Sequence, residues 1–382
     1  MEPDNNFTST RIWILRHGRS TLNDAQIFQG CGTASELTDE GIESARAAGA
    51  RLKDEKIDVI YTSPLQRAVQ TSELVRAELK QNQEYPTQRI DDALREMELP
   101  SWEGLPYSAV REQYPGQYQA FRQNPESFSL TSPGQGEVYP VLDMDKRVRE
   151  FIATVTQRNA GRRILLVTHG GPASAVLLAA LKLPLRHFHS MQITHGGLSC
   201  LSVQSWPDWV WLDKVNEISQ PTRRLPKLKN GKSGLRLLLV ASDRSDDPAI
   251  REDWLAETLQ GLAIQGVLAA GQDGYALATR LLSPDQQACI VSGTSAEIFE
   301  ALDRHRNSPH SDGLSNLLIA ARGDLITAVL AWCMRWDGTD FQTRLEPCRG
   351  LSVIHLPDSN QQPVLQAMNV CGMSTAAKEG IA

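Results

Sequence analysis

The chain has no C-x-x-C pair, and its six cysteines (Cys31, Cys200, Cys289, Cys333, Cys348, Cys371) are scattered over 382 residues. Neither a zinc site nor a disulfide framework is therefore expected, and a reducing compartment fits best. It also lacks an excess of positive charge: 39 Lys and Arg stand against 45 Asp and Glu. That mildly acidic balance argues against a broad electrostatic footprint for nucleic acid or an anionic membrane surface. Apolar runs are short, none approaching the roughly 20 residues of a membrane span. The first residues, Met1-Glu2-Pro3-Asp4-Asn5, lack the basic and apolar regions of a signal peptide. The expectation is a cytoplasmic, soluble protein with a small ligand and no nucleic-acid or membrane partner.

The chain is too long for one ordinary core, so two globular units are expected. Arg11 to Leu15 is a short apolar run ending at Arg16-His17-Gly18, which predicts a buried strand delivering a glycine turn. Thr38 is placed to cap a helix that carries Asp39 and Glu40 in its first turn, with Ile42, Ala45, Gly49 and Leu52 at helical spacing. Val59 to Tyr61 follows as a strand, and Ser63-Pro64 reads as the cap and first residue of a helix with Ala68, Val69, Ser72 and Val75 inward. Residues 100–140 have no clean period and read as an inserted lid of helix and loop. Arg163 to Thr168 is a further strand, running into His169-Gly170-Gly171-Pro172 and an apolar helix to Leu183. Alternating strands and helices predict an α/β domain with a mostly parallel sheet, its ligand beyond the carboxyl ends of the strands.

The basic, proline- and glycine-bearing stretch Pro221 to Gly234 reads as a linker. It divides a domain of residues 1–220 from one of residues 235–382. The second half repeats the first in degenerate form. Ile12 to Ser20 aligns with Leu237 to Ser245, Val59 to Thr71 with Val267 to Thr279, and Leu165 to Gly171 with Leu317 to Gly323. In these alignments Ser242 stands at His17, Tyr275 at Arg67 and Ala321 at His169. The apolar trace persists while the candidate chemistry is lost.

Four places carry chemistry, each with a plain structural alternative. Arg16-His17-Gly18 with Arg19 and Asn23 sits just after a strand, where a surface turn is the alternative. Arg67 lies in the first turn of a helix, where free N–H groups also favour an anion. His169-Gly170 repeats the design at another strand end, with glycine allowing close backbone approach. Leu94-Arg95-Glu96 and Trp102-Glu103-Gly104 offer carboxylates, of which Glu98 between them reads as a solvated acid. A phosphoryl group needs a cationic cradle, which Arg16, Arg67 and His169 would supply. His17 would be the nucleophile, its tautomer fixed by a hydrogen bond from the other ring nitrogen to a backbone carbonyl.

Together these motifs resemble the histidine phosphatase, or phosphoglycerate mutase-like, superfamily over roughly residues 11–215. The resemblance implies a three-layer α/β/α domain, followed by a smaller degenerate copy of the same fold. It implies metal- and cofactor-independent hydrolysis of a small phosphorylated metabolite through phosphohistidine at His17, with Glu96 as general acid. Substrate contacts are implied at Asn23, Arg19, Gly30 and Gly170, although Asn23 could instead shape the turn and Arg19 could be a solvated charge. Glu98 to Leu105, Gln113 to Tyr118 and the second half are similar to plant-related and cyanobacterial members that act on phosphoserine or carboxyarabinitol 1-phosphate. Phosphoserine is the first expectation, and a homodimer is left open. Two departures stand out, Pro100 at a position where relatives carry glycine and His195 where many carry asparagine. A phosphoglycerate mutase is the enzymatic alternative, against which Gln29 to Leu37 and Leu94 to Glu98 argue, and a regulatory phosphate-binding protein is the non-enzymatic one.

Overall fold

The structure is a computed structural model that describes residues 9–32, 35–80, 84–219, 225–228, 233–242, 248–287, 289–307, 313–336, 341–358 and 362–371. It divides into two compact units. The first comprises the described residues up to His189 with Ile193–Leu212 and residues 218–219, while Ser190–Gln192, Asp213–Glu217 and the described residues beyond 222 form the second.

The first unit begins with β1 (Thr10–Arg16), the short helix α1 (Thr21–Asp24), α2 (Asp39–Leu52), β2 (Val59–Thr62), α3 (Gln66–Glu78) and β3 (Thr87–Ile90). An insertion follows, with α4 (Tyr107–Gln113), α5 (Pro115–Gln123) and the hairpin of β4 (Leu130–Ser132) and β5 (Gly136–Val138). The chain then returns through α6 (Pro140–Arg158), β6 (Arg163–Thr168), α7 (Gly170–Ala180), β7 (Gly197–Ser205) and β8 (Trp209–Ile218), of which Asp213–Glu217 count with the second unit. Strand order across the sheet is β7-β1-β6-β2-β3. All neighbours are parallel except β7, which runs antiparallel to β1.

Both faces of this sheet are covered, as the unbroken apolar runs of β1 and β6 require. Trp13, Leu15, Leu165 and Val167 pack in one cluster with Ala48 and Leu52 of α2 and with Ala68 and Val75 of α3. The alternate residues Ile12, Ile14, Ile164 and Leu166 are equally buried, on the face where α7 lies against β1. Every residue of α7 from Gly171 to Ala180 is buried, which accounts for a helix apolar on all sides. Thr38 caps α2 as its sequence position suggests, accepting the Gly41 N–H at 3.1 Å. Ser63 does not cap α3: the helix starts at Gln66 behind Leu65, without a side-chain cap. The reason is position: Ser63 stands two residues ahead of the N-cap Leu65, and its hydroxyl accepts the Leu65 N–H while facing His169.

The insertion, read from sequence as a lid, has its own small core. Trp102 is fully buried, with its ring 5.1 Å from Phe28, 5.0 Å from Phe128 and 5.7 Å from Phe121. Backbone hydrogen bonds between Phe28 and Leu105 and between Gly104 and Phe28 tie it to the segment preceding Gly30.

The second unit contains β9 (Gly234–Ala241), α8 (Pro248–Leu259), β10 (Gly266–Ala270), α9 (Gly271–Leu281), α10 (Pro284–Gln287), β11 (Ile290–Gly293), α11 (Ser295–Asn307), β12 (Leu314–Ala321), α12 (Gly323–Met334), β13 (Leu351–Leu356) and β14 (Val364–Val370). Its strand order β13-β9-β12-β10-β11 repeats that of the first unit, with β13 again the antiparallel neighbour of the leading strand. The hydrogen bonds correct the alignment of the halves by one residue. The His17 N–H donates to the Thr168 carbonyl at 2.8 Å, and the Ser242 N–H donates to that of Ala321 at 2.7 Å. Ala321 thus matches Thr168, and Arg322, which precedes α12 as His169 precedes α7, holds the histidine position. The same register moves the counterpart of Arg67 from Tyr275 to Gly274. An all-apolar strand looks alike when slid by one residue, so sequence alone could not fix this offset. Linker residues 221–224 and 229–232, and the repeat positions Asp243 to Ser245, lie outside the described residues.

The turn after β1 is packed backbone to backbone against the start of α2. A Cβ placed on Gly41 would lie 2.1 Å from the Arg19 carbonyl oxygen, and neither segment can yield without moving the strand end. Gly41→Ala is expected to destabilise the first unit by about 1–3 kcal/mol, seen as a lower urea midpoint with an unchanged slope.

Candidate active site

The register of three parallel strands assembles the site. Arg16 pairs with Thr168 and Thr62 with Val167, so the next residues along each chain, His17, His169 and Ser63, emerge side by side at the carboxyl edge. His17 and His169 are both buried, with ring centroids 5.0 Å apart. The Ser63 hydroxyl lies 2.8 Å from His169 Nε2 and accepts the Leu65 N–H at 3.3 Å. A hydroxyl that accepts once can still donate to Nε2 or accept from it, so the pair is satisfied in either tautomer of His169.

His17 Nδ1 lies 2.7 Å from the Gly18 carbonyl oxygen. A carbonyl accepts only, so Nδ1 carries the proton and Nε2 keeps its lone pair, the state a nucleophile requires. Gly18 is held in turn, its N–H donating to Thr71 Oγ1 at 3.0 Å. Burial, and then the charges of Arg67 and Arg16, push the His17 pKa well below the ordinary 6.5. Burial, followed by His17 and the arginines 67, 16 and 147, does the same to His169.

The two guanidinium groups are fixed by backbone carbonyls. Arg67, buried although charged, donates through Nη1 to Gly32 O at 2.8 Å and through Nη2 to Gly30 O at 3.0 Å. Arg16 donates through Nη1 to Ile193 O at 2.6 Å. Desolvation lowers both pKa values, with Glu96 the foremost opposing charge on each. Nδ1 of His169 and Nε of Arg16 and of Arg67 are buried without a hydrogen-bond partner among the described residues. A buried donor left unsatisfied costs about 1–3 kcal/mol, a cost that an anion accepting from the two arginine Nε–H groups would offset.

Glu96 rests on the first turn of α7. Its two carboxylate oxygens lie 3.2 and 3.3 Å from the Gly171 nitrogen, and Oε1 also accepts the Met97 N–H at 3.1 Å. Gly170 opens the same helix against the Arg16 guanidinium. The structure thus brings together His17, His169, Arg16, Arg67, Glu96 and Gly170, with Gly30 contributing its carbonyl to Arg67.

Asn23 and Arg19 are engaged elsewhere. Asn23 Oδ1 accepts the Ser20 hydroxyl at 2.8 Å in a capping box around α1, and Arg19 pairs with Asp24 at 2.5 Å and Glu40 at 3.8 Å. Glu98 is paired with Arg95. Sequence reasoning missed Ser63 as a partner of His169, and Arg147, whose charge reaches His169 from α6. It noted His195 only as a departure, yet that ring lies 5.5 Å from His17.

The sequence profile described as histidine phosphatase superfamily (branch 1) matches residues 12–212. The chain belongs to the histidine phosphatase superfamily. An Arabidopsis thaliana protein described as a probable 2-carboxy-D-arabinitol-1-phosphatase is 28% identical over 307 residues, 77% of this chain and 61% of that protein. The chain therefore spans less than two thirds of that relative's length. A metal-independent phosphoserine phosphatase from Arabidopsis thaliana is 30% identical over 171 residues, 44% of this chain and 68% of the relative. Among solved structures, mycobacterial hydrolase 2 is similar at 27% identity and a TM-score of 0.48, covering 56% of this chain and 92% of that one.

In this member of the superfamily the two buried imidazoles are neutral in the fold and take up protons on unfolding. Their contribution to stability is complete above about pH 6.5 and drains as the pH falls below that towards their folded values. In the free protein at pH 6.5, nitrogen NMR of the imidazoles is expected to show His17 neutral with its proton on Nδ1, and an imidazolium signal there would contradict the depression of its pKa by burial. A Cβ on Gly171 would lie 2.3 Å from Glu96 Oε1. Gly171→Ala is accordingly expected to dislodge the carboxylate and lower turnover by roughly 100-fold, with the melting temperature reporting any loss of fold separately.

Proposed function

We propose that this chain is a metal-independent phosphomonoesterase of a small phosphorylated metabolite, phosphoserine first, working through phosphohistidine at His17. The observation that carries the reading is the His17 Nδ1 bond to the Gly18 carbonyl, beside two fixed guanidinium groups and a second imidazole. The resemblance to phosphatases of small phosphorylated acids supports the substrate class.

His17 Nε2 attacks phosphorus and the ester P–O bond breaks, the charge on the phosphoryl oxygens being met by Arg16, Arg67 and His169. Glu96, a carboxylate in the free site, takes up a proton from solvent as the anionic substrate binds and gives it to the departing alkoxide. Water then attacks the phosphohistidine, the N–P bond breaks, and Glu96 takes the proton from the water. His17 returns to its neutral form and phosphate leaves. The arginines supply the positive charge that a metal ion provides elsewhere. Gly30 lies in the loop that holds Arg67, and Gly170 gives the substrate close access to the α7 backbone.

The second unit is read as a pseudoenzyme that keeps the strand order without the chemistry, because Ser242 and Arg322 occupy the two histidine positions. A cytoplasmic setting agrees with cysteines that form no disulfide among the described residues and with the lack of any helix there long and apolar enough to cross a membrane.

Phosphate release from phosphoserine in excess EDTA is expected from the wild type, none from His17→Ala, and at least ~100-fold less from Glu96→Gln. Ser242→Ala is expected to match the wild type. Interconversion of phosphoglycerates without phosphate release would replace the hydrolase reading with a mutase, and silence in both assays would leave a regulatory protein.

A further inference from the structure

Glu96 sits on an irregular segment between a 3-10 turn (Asp92–Leu94) and the insertion, not on a helix or strand that would fix it. A proton donor on a loose loop is a poor one, since about 1 Å of misplacement can cost a hundredfold in rate. Here the carbonyls of four successive residues are all occupied. Arg147 of α6 donates through Nε to Ala93 O at 3.2 Å and through Nη2 to Arg95 O at 2.6 Å and Glu96 O at 3.3 Å. Thr168 Oγ1, at the end of the strand that delivers His169, donates to Leu94 O at 2.7 Å. Cys31 Sγ lies 3.0 Å from Glu96 O.

We propose that Arg147 is the positioning residue of the general acid, clamping the Ala93–Glu96 backbone so that the Glu96 carboxylate stays between the α7 N-terminus and the phosphoryl site. The inference rests on the acid role given to Glu96 above. Arginine suits the task because its planar fork presents donors at fixed angles and never loses its charge. Arg147 also bears on the other side of the site, since its charge helps keep His169 neutral. The guanidinium therefore combines two functions, a geometric one towards the acid loop and an electrostatic one towards the histidine.

Arg147→Lys separates them, keeping the charge and losing the fork. Its kcat for phosphoserine is expected to fall roughly 10- to 100-fold with KM little changed. With p-nitrophenyl phosphate, whose leaving group needs no proton, the first step is spared and the second, which needs Glu96 as base, is slowed. A burst of nitrophenolate equal to the active sites should then precede slow turnover. In a Glu96→Gln background the same substitution should cost nothing further, because its only route to the chemistry is through that side chain.

Equal losses on both substrates without a burst, full additivity with Glu96→Gln, or wild-type rates would each overturn the positioning role. If Glu96→Gln alone turns over at the wild-type rate, the acid assignment itself fails and the inference goes with it, a result distinct from failure of Arg147→Lys alone. Arg147→Gln, whose amide still donates two hydrogen bonds, provides a second variant should the lysine protein melt early. There too a nitrophenolate burst should precede a slowed steady state, and either wild-type rates or a slowed rate without a burst would count against the clamp.

Discussion

Everything at the site depends on the parallel register of β1, β6 and β2. Because Arg16 lies opposite Thr168 and Thr62 opposite Val167, three segments more than forty residues apart in sequence end at one level. A slip of one residue would send each of these side chains to the other face of the sheet. That register is protected by burial on both faces, with Ile12 to Leu15 and Ile164 to Val167 almost wholly shielded from solvent. The catalytic geometry is thus a by-product of close packing in the core, one layer below the chemistry.

Electrostatics supplies the second constraint. Two arginines and two histidines share a poorly solvated space, and their repulsion is relieved in two ways. The histidines stay neutral, and Glu96 acts as counter-charge to both guanidinium groups. Backbone carbonyls of Gly30, Gly32 and Ile193 complete the arrangement without adding net charge. The positive potential therefore rests on the arginines alone, and the imidazoles contribute lone pairs and single N–H groups.

The strand–helix alternation, the Thr38 cap and the clustering of His17, His169, Arg16, Arg67 and Glu96 were all legible in the sequence, because each leaves a local mark: an apolar run, a capping hydroxyl, a glycine turn at a strand end. What was not legible depends on partners distant in sequence. Ser63 looked like a helix cap because nothing local reveals that the helix starts only at Gln66 and that the hydroxyl faces His169. Asn23 and Arg19 carried the charge and polarity of ligands, yet their neighbours Ser20, Asp24 and Glu40 claim them. Arg147 sits within a charged helical turn, Lys146-Arg147 followed by Arg149-Glu150, and gives no hint that its fork faces inward. The repeat was visible, but its phase was not, since the hydrophobic runs of β9 and β12 tolerate a one-residue slide that only hydrogen bonds resolve.

The carboxylate of Glu96 rests on backbone N–H groups, those of Gly171 and Met97, and no hydrogen bond joins it to Arg16 or Arg67 among the described residues. Its position is referred to the end of a helix and not to the guanidinium groups nearby. An anion accepting from the arginines would therefore leave the contacts of the carboxylate as they are. Loading the cradle and placing the acid are separate events with separate determinants, and a change in one can be made without disturbing the other.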